Sequence, residues 1–79
     1  MSPSIFRVRN YRFFFFSREE ARKHVHVASA DGEAKFWVEP IVALADHSGF
    51  SDRELRQIEI IVRDKADEII KTWKKHFRS

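Results

Sequence analysis

The chain has 79 residues, no cysteine, and 15 lysines and arginines against 12 acids, for a formal net charge of +3. That length suits a single domain, 1–79, whose modest core would gain from a partner or a second copy, and the missing cysteines exclude disulfides, thiolate metal ligation and a cysteine nucleophile. Arginines interrupt the start MSPSIFRVRN and the FFFF run is too short to span a bilayer, so we expect no signal peptide, no membrane contact and a cytoplasmic location.

The first segment, SIFRVRNYRFFFFS, reads as two strands turning at Arg9-Asn10. If Val8 faces Tyr11, then Phe6, Val8, Tyr11, Phe13 and Phe15 share one face. Ile5, Arg7, Arg12, Phe14 and Phe16 share the other, and the first set makes the better core. SREEARK is a charged connection. Next comes HVHVASADGEAKFWVE, from His24 to Glu39, where Asp31-Gly32 signals a type I′ hairpin with a two-residue loop. That loop pairs Ala30 with Glu33. Outward from it, Val25 should face Val38, Val27 Phe36 and Ser29 Ala34 on an apolar side, with His24 opposite Glu39, His26 opposite Trp37 and Ala28 opposite Lys35 on a mixed side. After Pro40, IVALADHSG fits either a short strand or a turn of helix closed near Gly49.

The last segment carries a capping-box pattern, Ser51 with Glu54, and Phe50 with Leu55 stand at the positions of a hydrophobic staple. From there Leu55, Ile58, Val62, Ala66, Ile69, Trp73 and Phe77 recur at steps of three and four, which predicts an apolar stripe along a helix of about seven turns. Acids Asp52 and Glu54 come early, and Lys71, Lys74 and Lys75 late, as the helix dipole favours. The expected fold is α+β: a four-stranded antiparallel sheet of two hairpins, packed by one long C-terminal helix across Val25, Val27, Phe36 and Val38.

Two constellations could carry chemistry. His24 and His26 point the same way from one strand with Glu39 across from His24, a grouping suited to acid/base work. A metal site would need a further ligand, which His47 alone could supply from a distance, so we expect neither metal nor cofactor. Arg7, Arg12, Phe14, Phe16, Lys35 and Trp37 form the second group. Aromatics flanked by cations suit single-stranded RNA, and equally an interface with another protein or with a second copy of the chain. With Gly32 and Gly49 as the only glycines, there is no phosphate-binding glycine loop.

Taken together, SIFRV, YRFFFFS, HVHV at His24 to Val27, GEAKFWVEP at Gly32 to Pro40, GFS with EL after it, and a late Trp73 with His76-Phe77 resemble the small bacterial family of unknown function numbered four-one-six-zero. The likeness runs over nearly the whole chain. Members commonly carry prolines just before the first histidine, where this chain has Ala21-Arg22-Lys23. Genes of the family often neighbour one for a second small protein, so the resemblance implies a growth-inhibiting toxin with a small cognate antitoxin. It supplies no catalytic residue. Within that reading, a ribonuclease would use His24 or His26 as base and acid, with Arg7, Arg12 or Lys35 stabilising the phosphorane. A non-enzymatic toxin would block a cellular protein with the same surface, and the rival reading is a plain interaction module or the antitoxin itself.

Overall fold

The structure, a computed structural model, describes residues 4–15 and 22–77. Five strands, β1 (Ser4–Val8), β2 (Tyr11–Phe14), β3 (His24–Ala28), β4 (Glu33–Trp37) and β5 (Ala43–Ser48), precede one helix, α1 (Asp52–Phe77). The strands lie side by side in chain order, each antiparallel to the next. The sheet therefore has five strands where the sequence predicts four. The segment ALADHS gave no clear strand signal because an edge strand is buried on one side at most. An extra residue, Ala45, also breaks its alternation between the pairs Lys35–Asp46 and Phe36–Leu44. A similar irregularity at Ile5 interrupts the other edge, between Ser4–Phe14 and Phe6–Phe13. Bulges at both edges discourage further strands from adding on.

The first hairpin turns at Arg9-Asn10 with Val8 opposite Tyr11, as the sequence predicts, and Arg9 takes a left-handed conformation, φ 56°. The second hairpin differs. His24 pairs with Trp37, Val25 with Phe36, His26 with Lys35, Val27 with Ala34 and Ala28 with Glu33, a shift of two residues from the expected register. The turn centres on Ala30-Asp31, closed by Ser29 N–H donating to Gly32 O at 3.0 Å and by Asp31 N–H donating to the Ser29 hydroxyl at 3.1 Å. Gly32 serves another purpose. A Cβ there would strike the Ser48 carbonyl and lie 2.8 Å from Phe50 N, and one on Gly49, whose φ is +89°, would lie 2.9 Å from Gly32 Cα. The two glycines let the chain leaving β5 cross tightly over the hairpin tip.

A two-residue shift preserves side-chain parity, so the faces stand even though the partners change. Phe13, Phe15, Val25, Val27, Ala34, Phe36 and Val38 are buried on one side of the sheet. Leu55, Ile58, Val62, Ile69 and Trp73 are buried on α1 and join the same apolar cluster. The helix starts as predicted: Glu54 N–H donates to Ser51 Oγ at 3.2 Å while Ser51 N–H donates to Glu54 Oε1 at 3.0 Å. Phe50 and Leu55, the staple pair, are both buried. Among the described residues no helix is long and apolar enough to cross a membrane.

Candidate functional site

With α1 on one side, no other element among the described residues packs on the opposite side of the sheet. Register and alternation order its side chains into transverse rows. One row runs Arg7–Arg12–Ala28–Glu33–Ser48 across all five strands, and the next runs Phe14–His26–Lys35–Asp46 from β2 to β5. A third places His24 beside Trp37 and Ala43. Five of the six residues expected to form a binding surface therefore share this face. The sixth, Phe16, lies outside the described residues, as does most of the connection SREEARK.

The rings on this face are covered by cations. The Arg12 guanidinium sits 4.5 Å from the centre of the Phe14 ring, while the Arg22 guanidinium and the Lys35 ammonium sit 4.3 and 4.4 Å from that of Trp37. Each such contact stabilises by about 0.5–1 kcal/mol at an exposed site and holds a long side chain in one direction. Phe14 also stacks on His26, with ring centres 5.6 Å apart and planes 26° from parallel, and is only 8% exposed. Neither ring is a bare stacking platform. What the face offers outward is a set of cations fixed against aromatic supports, with Arg7 exposed directly opposite Arg12.

The acid/base candidates separate. His24 belongs to the open face by alternation, yet it is 2% exposed. Its ring lies 5.4 Å from that of Trp37, 5.1 Å from that of Trp73 and 5.0 Å from that of His26. Its Nδ1 lies 2.8 Å from the Arg22 carbonyl. A carbonyl can only accept, so Nδ1 carries the proton and donates. Glu39 does not stand opposite His24. The observed register sets it against Arg22, whose Nε donates to the Glu39 main-chain O at 2.9 Å, and its carboxylate pairs with Lys23 Nζ at 3.2 Å. His26, half-buried, stands beside Lys35 on the open face.

A shallow groove of ≈ 300 Å³ crosses the second row, lined by Phe14 on β2, His26 on β3, Glu33 and Lys35 on β4, and Asp46 and Ser48 on β5. His47 borders it too. Among the described residues, no three of histidine, aspartate and glutamate gather as a metal site. Asp46, Ser48 and Arg22 escaped the sequence reading. The first two sit on the strand that lacked a clear signal, and Arg22 sits in what looked like a plain charged connection.

No curated protein and no solved structure matches the chain. A family model does, over residues 10–74, a span that takes in β2 to β5 and most of α1. The chain belongs to the family described as Domain of unknown function (DUF4160).

Proposed function

We propose that the chain is the growth-inhibiting member of a bacterial toxin–antitoxin pair. It engages single-stranded RNA through the open face of its sheet, and a small cognate protein neutralises it by covering that face. The observation that carries the RNA part is the set of supported cations: Arg12 on Phe14, Arg22 and Lys35 on Trp37, with Arg7 opposite Arg12. Guanidinium groups meet phosphates through a planar fork of donors, and their faces stack on unpaired bases. The two-protein setting rests on the resemblance read from the sequence. If RNA is cleaved, we propose His26 as general base, with Lys35, paired with it on the neighbouring strand, stabilising charge on phosphorus.

Induction of the gene alone in a bacterial host, and together with its neighbour, tests the reading. Growth should stop in the first case and resume in the second. Normal growth on induction alone, or inhibition undiminished in a folded Arg7→Glu/Arg12→Glu variant, overturns it. A second reading, a non-catalytic protein-binding module or the antitoxin itself, draws support from the low exposure of Phe14 and His24, 8% and 2%. Such a module would show no RNA affinity in a direct titration.

A further inference from the structure

The open face is polarised in a way that no general affinity for polyanions requires. At the β1–β2 side Arg7 and Arg12 stand directly opposite each other, and among the described residues neither has a carboxylate partner. Like charges in a directly opposed cross-strand pair repel, an arrangement relieved when an anion lies over both. At the β4–β5 side the groove is lined by the carboxylates Glu33 and Asp46 and the Ser48 hydroxyl, all able to accept hydrogen bonds, with Lys35 directly opposite Asp46. The Asp46 carboxylate is held by the His47 N–H, which donates to its Oδ1 at 2.9 Å. From β2 to β5 is three strand spacings, about 14 Å at about 4.8 Å each, and Asp46 lies one row along from Arg12. A short single-stranded segment fits that span better than a lone phosphate does.

We infer that this groove is a base-selective subsite, with a phosphate of the strand over Arg7 and Arg12 and the edge of a nearby base against Asp46. The proposal rests on the RNA reading above and adds the identity of the base. A carboxylate only accepts, so it favours an edge rich in donors. Guanine offers two adjacent N–H groups that match the two carboxylate oxygens, cytosine and adenine offer one amine each, and uracil offers a single N–H between two carbonyls. Ser48 can donate to a carbonyl or accept from an amine beside it. The groove volume, ≈ 300 Å³, lies at the lower bound for small-ligand sites.

Fluorescence anisotropy with labelled hexauridylate, and with the same RNA carrying one central guanosine, gives the test. The guanosine should tighten binding about tenfold, within the range of a bidentate base contact. Asp46→Asn, which keeps the acceptor for the His47 N–H, should abolish that gain, so that the two RNAs bind the variant with equal affinity, while Arg7→Ala/Arg12→Ala should weaken both RNAs alike. Equal affinity for the two RNAs overturns the subsite while the RNA reading stands. So does a guanosine preference that survives Asp46→Asn with an unchanged circular dichroism spectrum. Binding of neither RNA overturns both.

Discussion

His24 and His26 are the same residue type two positions apart on one strand, and their surroundings give them different roles. His24 fills a box of rings from Trp37, Trp73 and His26 and satisfies the Arg22 carbonyl. Removing that ring leaves a cavity and an orphaned acceptor at once, so His24→Ala should cost about 2–4 kcal/mol. His26, half-buried at the groove, should cost about 1 kcal/mol as alanine. Chemical denaturation of the two single variants checks the contrast; a loss below about 1 kcal/mol for His24→Ala would show that its ring is not a packing element. Replacing both histidines together would therefore confuse unfolding with lost chemistry. The cleaner probe is His26→Gln, which keeps polarity and reach, assayed for growth inhibition in parallel with stability.

At the scale of elements, legibility followed the strength of the period. The helix could be read in full because Leu55, Ile58, Val62, Ile69 and Trp73 repeat at one face over about five turns and Ser51 with Glu54 marks the start. The hairpin faces could be read because alternation survives any even slip, but the register could not. Asp31-Gly32 looks like a turn centre, whereas Gly32 is glycine to admit the backbone of Ser48 to Phe50. The expected meeting of His24 with Glu39 fell with that register, while the shared face of Arg12, Phe14, His26, Lys35 and Trp37 did not. The cap makes its own prediction. The Ser51 N–H, foremost, and then the Ser51 hydroxyl hold the Glu54 carboxyl below its ordinary value. A carboxyl lowered by folding adds stability that is full above its unfolded value and fades as pH falls through the lowered one. Glu54→Gln should thus be less stable than the parent at neutral pH and converge with it in acid. Denaturation midpoints for both across that range check the sign, and a gap that persists in acid would mean the carboxylate charge is not what stabilises the cap.

At the scale of the molecule, one layer of helix packs on one side of a five-stranded sheet, and no other element among the described residues covers the opposite side. The net charge of +3 says little about what that side binds. Placement says more, because Arg7, Arg12, Arg22 and Lys35 all gather there, three of them fixed on rings, with the carboxylates Glu33 and Asp46 confined to β4 and β5. A surface of that kind should bind single-stranded RNA with a salt dependence set by the number of phosphates it neutralises. Three or four contacts at about 0.7 each predict a slope of about −2 to −3 in log affinity against log salt concentration. Arg12→Ala should flatten that slope by about 0.7, or by more if Arg7 swings away once its neighbour is gone. Lys74→Ala, at the exposed end of the helix, should leave it unchanged. If both substitutions flatten the slope equally, the whole cationic surface contributes and the open face holds no privileged position; if only Arg12→Ala does, the rows of the sheet are where the phosphates lie.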